Sequence, residues 1–140
     1  MCNLFKVSLS ALVFTGMFSG QVNAQDILVY LTSGSGQTQG MALILSGQML
    51  QQKAKVHVLL CDDAGDLALA NTSSDKLKPL DKSPEELLNA LIQQGATVEV
   101  CALYLPNRST NVTLKPDIDV AKPPVIASKL LDEKVKTFSF

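Results

Sequence analysis

Two short, nearly continuous apolar runs limit this chain more than any other feature. Asp26-Ile-Leu-Val-Tyr-Leu-Thr32 and Val56-His-Val-Leu-Leu60 lack the polar residue at every second position that a strand with one wet face carries. Runs of this kind suit strands buried on both sides, and such strands belong to parallel sheets covered by helices. The intervening sequence agrees. Ser33-Gly-Ser-Gly36 reads as a turn, and Thr38 to Gln52 as a helix with Met41, Ala42, Leu45 and Met49 on its buried stripe.

The second half repeats the alternation. Ser83-Pro84-Glu85-Glu86 supplies an N-cap, a proline at the first helical position and a capping-box glutamate. Leu87, Leu88, Leu91 and Ile92 follow at helical spacing, and Gly95 stands where a C-terminal glycine ends a helix. Thr97-Val-Glu-Val-Cys101 is a third strand, with Ala102 to Pro106 extended after it and a polar loop running to Pro124. A short helix from Pro123–Pro124 to Asp132 and a last strand from Val135 to Phe140 complete the pattern. Strands joined through helices or long crossovers require right-handed connections. The expected fold is a single doubly wound, flavodoxin-like α/β domain, with a mainly parallel sheet of four to five strands and helices on both faces.

Residues 1–24 stand apart from this pattern. Lys6 precedes an apolar run from Val7 to Phe18, and Val22 and Ala24 meet the small-residue rule for signal-peptidase cleavage before Gln25. The run is too short to span a bilayer. The expectation is a signal peptide over 1–24, a folded domain over 25–140, a periplasmic or secreted location, and no membrane attachment after cleavage. With 12 basic and 13 acidic residues, the chain has no cationic excess with which to bind nucleic acid. Aromatic residues are 5% of the chain and tryptophan is absent, so stacking platforms are few.

Parallel α/β sheets bind ligands outside the carboxyl ends of their strands. Three features fall there: the Ser33, Gly34, Ser35 and Gly36 turn, Cys61, and Cys101. A helix N-terminus beside a cysteine favours the thiolate, the nucleophilic form. Cys101 is therefore the candidate nucleophile, and the four turn residues are the candidate anion or ligand cradle. Cys61 is followed by Asp62, Asp63 and Asp66, whose charges oppose a thiolate, which leaves it as a second, resolving thiol. In a strand order 2-1-3-4 the two cysteines would flank the first strand, about 9.6 Å apart. That exceeds the Cα separation of about 7 Å that a disulfide spans. The single histidine, His57, lies in an apolar strand and reads as a core or subunit-contact residue. Gly34-x-Gly36-x-x-x-Gly40 departs from the dinucleotide-binding spacing. No metal site and no cofactor are expected.

Several of these segments together resemble the DsrE/DsrF-like (YchN-like) family. They are the first strand with Thr32-Ser-Gly-Ser-Gly-Gln-Thr38, the segment Val56-His-Val-Leu-Leu-Cys-Asp-Asp-Ala-Gly65, the helix from Ser83 to Gly95 with Val98-Glu-Val-Cys101, and Lys134-Val-Lys-Thr-Phe138. The resemblance implies a flavodoxin-like domain assembling with itself into trimers or hexamers. It also implies a persulfide carried on Cys101 and passed to a thiol-bearing partner protein. Export sets this chain apart from the family's cytoplasmic relay subunits. A non-catalytic oligomeric module, binding a small ligand or partner at the same edge, is the other function this scaffold supports.

Overall fold

The computed structural model describes residues 24–108 and 111–140. The expected signal peptide therefore lies outside the described residues, apart from Ala24. The described chain contains five strands, β1 (Asp26–Leu31), β2 (Lys55–Leu60), β3 (Thr97–Val100), β4 (Asp119–Val120) and β5 (Val135–Ser139). Three α-helices connect them: α1 (Gly36–Gln51), α2 (Pro84–Gln93) and α3 (Pro123–Leu131). All strand pairs are parallel, in the order β4-β3-β2-β1-β5. From β1 the chain steps outward one strand at a time to β4, then crosses back through α3 to place β5 against the free side of β1.

This order corrects the 2-1-3-4 arrangement. β2 and β3 are direct neighbours, paired from His57↔Thr97 to Leu60↔Val100. The run of outward steps is dictated by connections that each return to the adjacent strand. No local pattern in β2 or β3 distinguishes this from a return across β1.

Alternation along the strands divides the side chains between two faces. Ile27, Val29, Leu31, Val56, Val58, Leu60, Val98 and Val100 point to one side. There they form the main core with Ala42 and Leu43 of α1, Leu88 and Leu91 of α2, and Ala64, Leu67 and Ala68 of a 3₁₀ segment, Asp62–Ala68. Leu28, Leu59 and Cys61 point to the other side, with Ala121 and the half-buried Ile126 of α3. Helix α3 buries none of its residues fully. The second face is thus only partly covered, and it is the face that carries both cysteines.

Helix α2 forms as its signals require. The Ser83 hydroxyl accepts from the Glu86 N–H, the Glu86 carboxylate accepts from the Ser83 N–H at 2.8 Å, and Gly95 takes φ +99°. Helix α1 differs from expectation. Its buried residues are Gln39, Gly40, Ala42, Leu43 and Ser46, whereas Met41 and Leu45 face outward. Close packing decides this. A β-carbon at Gly40 would fall 2.3 Å from Leu77 Cδ1, and one at Gly47 would touch Leu91. The helix turns its small residues inward, where its neighbours approach closely, and Gln39 satisfies its amide on the Ser33 carbonyl at 2.9 Å. Ala102 to Pro106 is not extended: it turns over 102–104 and enters a 3₁₀ segment, Leu105–Asn107.

Candidate functional site

Continuing the β2–β3 register by one residue past Leu60↔Val100 sets Cys61 opposite Cys101. The backbone supports the extension: the Cys61 N–H donates to the Leu31 carbonyl and the Cys101 N–H to the Leu60 carbonyl, at 2.9 and 2.8 Å. Both side chains lie on the partly covered face, at the carboxyl end of the sheet. Neighbouring strands are about 4.8 Å apart, so the two cysteines are one strand spacing from each other and not two. Both are free thiols, Cys61 buried and Cys101 half-buried.

The thiols differ in environment. Burial, followed by the neighbouring Cys101 sulfur, pushes the Cys61 pKa up to about 12, against a smaller opposing pull from the Tyr30 hydroxyl. Cys61 is thus held as the neutral thiol, for a reason other than the one its acidic neighbours suggested. Desolvation leads, and Asp62 contributes least. Tyr30 is pushed up to about 12 in turn, by its contact with Cys61 and by burial.

Two grooves meet at this pair. One, of about 430 Å³, runs beneath α3 and is lined by Leu28, Leu59, Ile126 and Leu130 together with both cysteines and Tyr30. The other is polar, of about 390 Å³, and adds Asp62, Asp63, Tyr104, Asn107 and Arg108 to the same cysteines and Tyr30. Its wall is built by one interlocked group. The Tyr104 hydroxyl donates to Asp66, the Arg108 guanidinium meets Asp66 at 2.9 Å, and the same guanidinium stacks over the Tyr104 ring at 5.1 Å. Burial and the Asp66 carboxylate raise the Tyr104 pKa, so it remains a hydrogen-bond donor. Asp62 turns the chain into this wall at φ +52°, a conformation that aspartate tolerates better than most residues.

Of the residues singled out from sequence, Cys61 and Cys101 come together. Ser33, Gly34, Ser35 and Gly36 form the expected turn, with the Ser35 N–H donating to Ser33 Oγ, and α1 begins at Gly36. None of the four is among the residues lining either groove. Gly34 instead lies against Asp63, to which a β-carbon would approach within 2.9 Å. Tyr30, Tyr104 and Arg108 were not anticipated. Tyr30 sits inside a run read as core, and Tyr104 and Arg108 follow a strand end that was expected to stay extended.

His57 is buried on the same face, towards the other end of β2, with Nε2 2.7 Å from Glu99 Oε2. Burial pushes its pKa down and Glu99 opposes this. Among the described residues, no group of three or more His, Cys, Asp or Glu side chains is placed to hold a metal ion, and no helix is long and apolar enough to cross a membrane.

No protein-family model matches the chain, and no curated protein matches it. Its fold is similar to that of the crystal structure of the ychN protein from E. coli, with a TM-score of 0.66 and 18% sequence identity. The similarity covers 81% of this chain and 99% of that one. The domain therefore has a YchN-like fold.

Proposed function

We propose that this YchN-like domain is an exported carrier of sulfane sulfur, holding it as a persulfide on Cys101. One observation carries the reading: Cys101 is a half-buried free thiol at the carboxyl edge of a parallel sheet, opening onto two grooves. Persulfide transfer needs a thiolate with room for an incoming donor and for a partner thiol. A fully buried cysteine offers neither. The carrier works in the periplasm or outside the cell, takes sulfur from a persulfide or polysulfide donor, and delivers it to a thiol-bearing partner protein.

The protein assembles with itself as a trimer or hexamer in this reading. Leu103, Leu130 and Leu131 are 72%, 56% and 84% exposed, and Val125 and Phe138 add to the apolar surface of α3 and β5. A domain of this size gains by covering such a surface.

Sulfane sulfur released by cyanide from polysulfide-treated protein tests the carrier role. Cys61→Ser retains the signal and Cys101→Ser loses it; equal loading of Cys101→Ser contradicts the proposal. A second reading draws on the 430 Å³ apolar groove, whose lining suits an uncharged ligand in a non-catalytic oligomeric binding module. That reading requires assembly and ligand binding to survive in both cysteine variants.

A further inference from the structure

We infer that Cys61 and Cys101 form a dithiol–disulfide couple across β2 and β3, in which Cys61 resolves the sulfur adduct that Cys101 carries. Adjacent strands place the two α-carbons about 4.8 Å apart. Disulfides span Cα separations of about 4.4–6.8 Å. The register and the Cys101 N–H to Leu60 carbonyl bond fix the two residues opposite each other on one face of the sheet. Both line both grooves, so an adduct on Cys101 stays beside Cys61 whichever groove it extends into.

The step is a thiol–disulfide exchange. Cys101 thiolate first takes a sulfur from a persulfide or polysulfide donor, whose shortened chain leaves as a thiolate or hydrosulfide. Cys61 Sγ then attacks Cys101 Sγ. The Cys61–Cys101 bond forms, the bond from Cys101 Sγ to the outer sulfur breaks, and hydrosulfide leaves with the electron pair while the Cys61 proton passes to water. The outer sulfur is reduced to sulfide and the cysteine pair is oxidised to a disulfide. A dithiol reductant, becoming a disulfide itself, restores the pair. With a glutathione mixed disulfide on Cys101 the same attack expels glutathione thiolate. The couple therefore stands without the sulfur-carrier reading, whereas its discharge of sulfane sulfur rests on that reading.

The two thiols have divided roles. Cys101 faces the grooves and meets the donor. Cys61 is buried and protonated, so its attack is slow and the adduct lasts long enough for a partner thiol to collect it. Discharge as sulfide is the outcome when no partner arrives.

The test uses the wild type, Cys61→Ser and Cys61→Ala, the last two guarding against the misfolding of either one. Each is exposed to inorganic polysulfide, freed of excess donor, and followed by intact mass and by released sulfide. The wild type is expected to gain one sulfur, then to lose it with two hydrogens while releasing one sulfide per chain. Both Cys61 variants are expected to retain the added sulfur. A wild type that keeps its sulfur as long as the variants, without sulfide release, overturns the couple and leaves the carrier reading standing. If no form takes up sulfur, yet glutathione disulfide closes the pair in the wild type, the carrier reading fails and the couple holds. If neither reagent closes the pair, the couple is overturned.

Discussion

Cys61 and Cys101 are chemically identical, and only their surroundings distinguish them. The pKa of Cys61 is pushed up to about 12 by burial and by Cys101 just past the end of β3, with Tyr30 on β1 pulling the other way and Asp62 adding a small push. Its thiolate fraction, and with it the rate of sulfide release after loading, is expected to rise roughly tenfold per pH unit between about pH 6 and 8. A pH profile of sulfide release checks this, and a flat profile would show that another group is the attacking nucleophile. Gly65 governs the polar groove just as locally. A β-carbon there would lie 2.3 Å from the Tyr104 ring, so Gly65→Ala must displace the wall that Tyr104, Asp66 and Arg108 build. The expected cost is about 1–3 kcal/mol, read by denaturant unfolding. The two cysteines were legible in the sequence because few residue types do such chemistry. Tyr30, Tyr104 and Arg108 were not, because each gains its role from a neighbour distant in sequence.

The elements differ in how openly the sequence declares them. Helix α2 is announced by its own residues, since Ser83, Pro84, Glu86 and Gly95 each satisfy a local requirement of helix ends. Ser83→Ala removes one half of the capping box and should cost about 1 kcal/mol, measurable by thermal melting. An unchanged stability would mean that tertiary packing alone holds this end. Helix α1 shows the opposite case. Its apolar residues suggested one stripe, but Gly40 and Gly47 lie where Leu77 and Leu91 approach, so the buried face is chosen by fit and not by hydrophobicity. Strands β1 and β2 were found by their apolar runs, yet the lateral order of the sheet was not, because order depends on which strand each connection returns to. That single misassignment had separated Cys61 from Cys101. The two-residue β4 leaves too short a trace to be read within a polar loop.

For the molecule as a whole, the neutral forms of Cys61, Tyr30 and Tyr104 are favoured by the fold, because each has a folded pKa above its ordinary value. Their contribution to stability is fully present below those ordinary values and is lost as pH rises through the folded ones, from about pH 9 upward. His57 acts on the other flank: its folded pKa lies below 6.5, so its contribution is present above that value and is lost as pH falls further. Melting temperature should therefore decline on both sides of neutrality, and an unchanged melting temperature at about pH 10 would contradict the burial of these groups. The proposed self-assembly makes a separate demand. Leu131→Glu places a charge in the most exposed apolar side chain of α3 and should shift light-scattering mass towards the monomer, with helix content unchanged. The central functional claim is that Cys101 carries sulfur. The measurement that addresses it most directly is the intact mass of Cys61→Ser, without reductant, before and after polysulfide, followed by mapping of the modified peptide. The account predicts a gain of one sulfur on the peptide containing Cys101, removed by reductant. A folded protein whose mass does not change would contradict it.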